Sequence, residues 1–263
     1  MSERHPHGQI TVETRDHILL MGIDRAEKRN GFTPKMVHEL TDAYNALETD
    51  DELWCGVLFA HGNHFTGGLD LPMFAESFAK NENFFTGKGV DILGLEQKCS
   101  KPLVCAVQGI TYTIGIELML ACDIVVAATD CRFSQLEPKR GIMAVGGATM
   151  RFVQRCGWGN AMYHLLTADE FNADEAYRVG LVQEVVEPGA QVERAIELAE
   201  TINSCAPLAV RATIASSRLY LDDGERAAYE QFGPTQARLG QSEDFQEGIQ
   251  SFVERRKAVF KGR

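Results

Sequence analysis

The chain has 263 residues, 44% of them hydrophobic, enough for one large domain, or a domain with a small appendage, built on a substantial core. Its formal charge of −11, from 37 acidic and 26 basic side chains, argues against a nucleic-acid partner, because a phosphate backbone needs a net basic face; a small polyanionic ligand needs only local cations and helix N-termini. The longest apolar runs are far too short to span a bilayer, and residues 1–12 are polar with no apolar segment behind them, so neither a membrane partner nor a secretory route is expected.

Residues 9–14 and 17–23 carry β-branched and aliphatic residues around Arg15-Asp16, which predicts a hairpin. Thr33-Pro34 then sets a capping threonine before a proline at the first helical position. Met36, Val37, Leu40, Ala43, Tyr44 and Leu47 recur at helical spacing, predicting an amphipathic helix to about Glu48. The short apolar runs 53–60, 103–107 and 124–128 fit strands buried on both faces, and their alternation with helical patterns predicts parallel β/α units. Residues 79–89 are polar and glycine-containing yet hold Phe84-Phe85; a flap over a pocket and an ordinary surface loop both fit them.

A short strand is expected at 131–134 and a helix from about 148 to 156. Beyond Asp174 the pattern is helical apart from a last strand at 181–186, with helices over 191–204, 208–221, 225–239 and 242–260 and breaks at Pro207 and Gly240. These last helices, carrying Phe232, Phe245, Phe252 and Phe260, can close over the core, pack on a second subunit, or do both. The seven cysteines include no Cys-x-x-Cys pair, and no histidine cluster has metal-ligand spacing. They read as free thiols in a reducing cytoplasm, with no metal and no disulfide framework.

Four segments can carry chemistry. In Phe65-Thr66-Gly67-Gly68-Leu69-Asp70-Leu71 the glycines let a ligand approach the backbone, and Asp70 can cap a helix over 71–78, leaving the Leu69 amide at the strand end; a plain turn is the alternative. After the 103–107 strand the chain turns at Gly109 and starts a helix near Ile114, whose amide lies in the unpaired first turn. Two such amides can converge on one oxygen, or Ile114-Gly115 can be tight helix packing alone. Glu117, in the first turn of that helix, and Glu137, before Pro138, can form an acid–base pair in an apolar pocket; alternatively Glu117 offsets a helix dipole and Glu137 is a surface turn residue. The glycines of residues 141–147 can wrap a ligand, cap a helix or simply connect.

Taken together, these segments resemble the crotonase superfamily of enoyl-CoA hydratases and isomerases. The resemblance rests on Asp24-Arg-Ala-Glu-Lys-Arg-Asn30, Phe65-Thr-Gly-Gly-Leu-Asp70, Lys101-Pro-Leu-Val-Cys-Ala-Val-Gln-Gly109, Ile116-Glu-Leu-Met-Leu-Ala-Cys-Asp-Ile124, Phe133-Ser-Gln-Leu-Glu137, residues 173–182 and residues 252–260, in the family's order. It implies an α/β fold, a crotonase-like spiral of ββα units over residues 1–195 holding a CoA-thioester site, with a helical C-terminal trimerisation region over 196–263. It further implies a homotrimer or dimer of trimers acting on an acyl-CoA thioester, with no separate cofactor because coenzyme A is part of the substrate.

By position, Leu69 and Ile114 match the two oxyanion-hole residues, and Glu117 and Glu137 the two acid–base glutamates. Lys28 and Arg29 lie where the family often contacts the nucleotide end of the ligand, and Thr66, Gly67, Gly68, Asp70, Leu71 and Gly141 fall in the matching substrate-binding segments. This chain departs from the pattern at Thr113-Ile114-Gly115, where small residues are usual, so Ile114 is expected to narrow or reshape the acyl pocket. Thr66-Gly67 and Ala144-Val145-Gly146 also differ from the common residues. The activity this implies is hydration of a 2-enoyl-CoA to a 3-hydroxyacyl-CoA. Other readings are double-bond isomerisation through Glu137 alone, another crotonase-type acyl-CoA activity such as decarboxylation or hydrolysis, and non-catalytic thioester binding.

Overall fold

Two sheets of unequal size, wound from the same chain, set the frame in the computed structural model, which describes residues 6–80 and 89–263. The large sheet has six strands in the order β1 (Gln9–Arg15), β2 (Ile18–Asp24), β3 (Cys55–Ala60), β4 (Leu103–Val107), β6 (Ile124–Ala128) and β9 (Glu184–Val186). β1 pairs antiparallel with β2, and the remaining neighbours are parallel. The small sheet joins β5 (Ile110–Tyr112) parallel to β7 (Arg132–Ser134), and β7 antiparallel to β8 (Phe171–Asn172).

The central strands are apolar throughout because both faces of the large sheet are covered. Along β2, Leu19, Met21 and Ile23 join the main core with Met36, Leu40 and Leu47 of α1 (Pro34–Thr49). Ile18 and Leu20 point the other way, into a layer closed by Ala195, Ile196 and Ala199 of α6 (Gln191–Asn203). α1 starts where its sequence predicts, with the Thr33 hydroxyl accepting from the Met36 amide and Pro34 in the first turn.

Each turn of the coil passes from the large sheet to the small one and then into a helix. β4 leads to β5 and α3 (Ile114–Ala121), while β6 leads to β7, a 3-10 turn (Glu137–Arg140) and α4 (Ala148–Thr167). The segment after β3 does the same with a single parallel bridge, Thr66 to Thr111. Residues just past the small sheet on successive turns are thereby brought side by side. This is the ββα winding implied by the resemblance.

Several elements differ from expectation. The strand foreseen from Leu53 begins at Cys55, because the Leu53 amide closes a turn on the Asp50 carbonyl. The last strand shortens to Glu184–Val186, with Leu181 and Val182 buried in the core instead. The helix foreseen over 148–156 continues to Thr167 across a break at Gly157. Helices foreseen over 208–221 and 225–239 become α7 (Pro207–Glu230), broken at Gly224, and α8 (Phe232–Leu239).

The final helix, α9 (Glu243–Glu254), stops well short of Phe260. Arg255 adopts φ 53° and the tail folds back, so that the Lys261 and Gly262 amides donate to the buried Asp244 carboxylate at 2.7 and 2.9 Å. Asp70 is no helix cap: a 3-10 turn (Leu71–Phe74) follows it, leading into α2 (Ala75–Lys80), and its carboxylate pairs with buried Arg25 at 2.8 Å. The remaining helix, α5 (Ala173–Arg178), follows β8. Of the segment read as a flap or loop, residues 81–88 lie outside the described residues. Among the described residues no helix is long and apolar enough to cross a membrane.

Candidate active site

A cavity of about 230 Å³ opens where three turns of the coil leave the small sheet. Gly67, Gly68 and Leu69 form one wall, Thr113, Ile114 and Glu117 the next, and Leu136 and Glu137 the third. Ile142, Met143 and Val145, each more than half exposed, line it as well, together with Leu71 and Arg140.

The loop carrying Leu69 is fixed by its own backbone. Phe65 donates to the Gln108 carbonyl and Gly67 to that of Arg29, both at 2.8 Å, and the Gly68 amide donates to the Thr66 hydroxyl at 3.1 Å. Phe32 and Asp70 close a bridge on either side of Leu69, which leaves the Leu69 N–H with no acceptor among the described residues. Ile114 is the first residue of α3, so its N–H has no intrahelical partner, and it too finds none among the described residues. Two free donors flanking one cavity can hold an oxygen that gains negative charge.

Glu117 is 4% exposed, and its Oε1 accepts from the Gly146 amide at 2.7 Å. Burial first, and the charge of Glu137 second, push its pKa up to about 7; the amides of Ala148 and Gly146 and the charge of Arg151 oppose that rise. Burial also raises Glu137, whose Oε2 is buried without a hydrogen-bond partner. A carboxyl shifted as far as that of Glu117 can hold a proton near neutrality and exchange it with a bound molecule.

The other residues singled out in the sequence take varied places. Gly67, Gly68 and Leu71 line the cavity. Thr66 is buried behind it, its hydroxyl donating to the Asn30 carbonyl at 2.7 Å. Asp70 is engaged with Arg25, and Gly141 closes the 3-10 turn with φ 73° rather than lining the wall. Lys28 and Arg29 are exposed beside the loop, where the Arg29 carbonyl accepts from Gly67. Ile114 is 2% exposed and belongs to the core while its side of the helix faces the cavity.

Two groups of residues were given no role of their own in the sequence reading. Gly146 and Arg151 orient Glu117 from the far side, Arg151 donating to the Gly146 carbonyl at 3.2 Å and to the carbonyls of Leu93 and Gly94. The glycine run at 141–147 was the available signal for Gly146. Thr113 showed only as a departure from the usual small residues, Ile142 and Met143 only as members of that run, and Arg140 not at all, since nothing local distinguishes a cavity-lining side chain from a surface one.

The family model for enoyl-CoA hydratase/isomerase matches residues 13–263. The chain belongs to that family. A curated member, the (E)-benzylidenesuccinyl-CoA hydratase of Thauera aromatica, is 32% identical over 96% of this chain and 99% of its own. The crotonyl-CoA hydratase of Syntrophomonas wolfei is 30% identical over 95% and 97%. Among solved structures, a probable enoyl-CoA hydratase/isomerase from Mycobacterium abscessus superposes with a TM-score of 0.93 at 44% identity, covering 97% of this chain and 98% of that one.

Proposed function

We propose that this enoyl-CoA hydratase/isomerase family member is an enoyl-CoA hydratase, adding water across the double bond of a 2-enoyl-CoA thioester to give a 3-hydroxyacyl-CoA. The observation that carries the proposal is that one cavity is lined by both residues with free amides and by both glutamates, and the full-length hydratase relatives support it. The Leu69 and Ile114 amides hold the thioester oxygen and stabilise the enolate formed as water attacks. Glu117 takes the proton from that water and Glu137 delivers one to the α-carbon. Retention of two acids, where a shuttle needs one, disfavours isomerisation.

The adenosine and phosphate end of the substrate is assigned to Lys28 and Arg29, at the edge of the Gly67 wall. No cofactor is needed beyond the coenzyme A of the substrate itself. Residues 1–195 form the catalytic core and 196–263 the oligomerisation region, with α6 spanning the division. Tyr229, Phe232, Ile249, Phe252 and Val253 stand exposed on the C-terminal helices, which supports a homotrimer or a dimer of trimers through this region. Seven free thiols support a cytoplasmic protein.

The test is spectrophotometric. Crotonyl-CoA mixed with the protein loses its enoyl-thioester absorbance if the proposal holds; no loss, together with conversion of a 3-enoyl-CoA, replaces it with isomerisation.

A further inference from the structure

Thr113 joins β5 to α3 with its backbone at φ 52°, ψ −116°. Glycine occupies that region freely, whereas a Cβ is crowded there and a β-branched side chain most of all. The conformation is held from outside: the Thr113 N–H donates to the Ser134 carbonyl at 3.0 Å, and its own carbonyl accepts from the Ile116 and Glu117 amides at 2.9 and 3.2 Å. A strained residue fixed this firmly beside reacting atoms invites a search for what its side chain does there.

The side chain lines the cavity, and its hydroxyl has no hydrogen-bond partner among the described residues. It faces Gly68, where an added Cβ would come within 2.7 Å of Oγ1 and have all three of its nearest atoms in the Thr113 side chain. Gly68 and Thr113 each immediately precede a residue with a free amide, Leu69 and Ile114. The hydroxyl therefore stands at the junction of the two donor segments, and its proton rotates to suit an acceptor.

We propose that the Thr113 hydroxyl is a third hydrogen-bond donor to the thioester oxygen, acting with the Leu69 and Ile114 amides as negative charge develops. This assignment rests on the thioester reading above. The strained backbone is what turns a threonine side chain toward the cavity at a position where glycine would offer no donor.

Three variants separate the hydroxyl from the backbone. Thr113→Val keeps the branch and the volume, Thr113→Gly relieves the backbone, and Thr113→Ser keeps the hydroxyl. With crotonyl-CoA, Val and Gly should each lower kcat by about 10- to 100-fold with KM changed by less than about threefold, and Ser should recover most of that loss.

A second readout is the pH at which bound acetoacetyl-CoA becomes its enolate, followed by absorbance. Val and Gly should raise that midpoint by about one pH unit, the equivalent of a tenfold loss in enolate stabilisation. Wild-type kcat and midpoint in Val, or a wild-type-like Gly beside a damaged Val, would overturn the proposal, as would a wild-type protein that never stabilises the enolate. If Val fails to fold by thermal denaturation, the comparison of Ser with Gly decides. A protein that hydrates no enoyl-CoA yet stabilises the enolate through Thr113 would sink the hydratase reading alone.

Discussion

The Gly146 amide donates to Glu117 Oε1 at 2.7 Å, and the Gly146 α-carbon lies so near the same carboxyl that a Cβ there would come within 2.3 Å of Oε2. Gly146 thus tethers the carboxyl and leaves it room. Gly146→Ala should displace the carboxyl and lower kcat by about 100-fold, the usual effect of misplacing a reacting group by about an ångström. Far-UV circular dichroism should be unchanged, and a near-wild-type kcat would show that Glu117 is positioned by something else.

Glu117→Gln and Glu137→Gln each remove a proton-transfer group while keeping its shape. Each should reduce kcat by about 100- to 10,000-fold with KM for crotonyl-CoA changed by less than about threefold. Steady-state kinetics on both variants checks this. A large rise in KM with intact kcat would mean that the carboxyls bind substrate rather than move protons.

The raised Glu117 pKa ties both activity and stability to pH. An ordinary glutamate ionises near 4.5, whereas folded Glu117 keeps its proton to about 7. Between those values the folded chain binds more protons than the unfolded chain, so stability falls as pH rises through that window and levels off above it. The total change is about 3 kcal/mol. Denaturation midpoints measured from pH 4.5 to 8 should show this slope, and Glu117→Gln should flatten it. In the enzyme, kcat/KM should rise with pH as Glu117 ionises near 7, and because the charge of Glu137 contributes to that shift the two carboxyls titrate as a pair.

Asp70 compensates Arg25, which is 5% exposed and also donates to the Pro6 and Gly31 carbonyls. Asp70→Ala leaves a buried guanidinium without its carboxylate, and because the Asp70 side chain is 27% exposed the loss should be about 2 kcal/mol rather than the full cost of a buried pair. Urea denaturation measures it. The same variant loosens the segment that presents the Leu69 amide, so kcat should fall several-fold as well.

The sequence made the parallel core visible because strands covered on both faces must be apolar end to end, as Leu103 to Val107 are. The starts of α1 and α3 were equally plain, Thr33-Pro34 supplying one and the turn after Gly109 the other. β5 and β8 were not, since three- and two-residue strands have no period to read. The helix pattern up to Phe260 was misleading: side-chain spacing continues past Arg255, but the backbone turns left-handed there, and the groups that hold the tail come from Asp244, sixteen residues away in sequence from Phe260 and close only in the fold.

At the candidate site, the residues Leu69, Ile114, Glu117 and Glu137 that line the cavity were legible because glycines, helix starts and an acid in an apolar run each leave a local trace. Thr113 left only its departure from the usual small residues. A β-branched residue is a poor guess for a left-handed turn, and its conformation is imposed by Ser134 on a neighbouring turn of the coil.

Because three separate windings each line the one cavity proposed as the reaction centre, breathing of any one of them should disarm the whole. Catalysis should then be a more sensitive gauge of integrity than helix content: under rising urea, turnover should vanish before ellipticity does, and exchange of the hydrogen-bonded Gly67 and Thr113 amides in the same two segments should report the earliest opening.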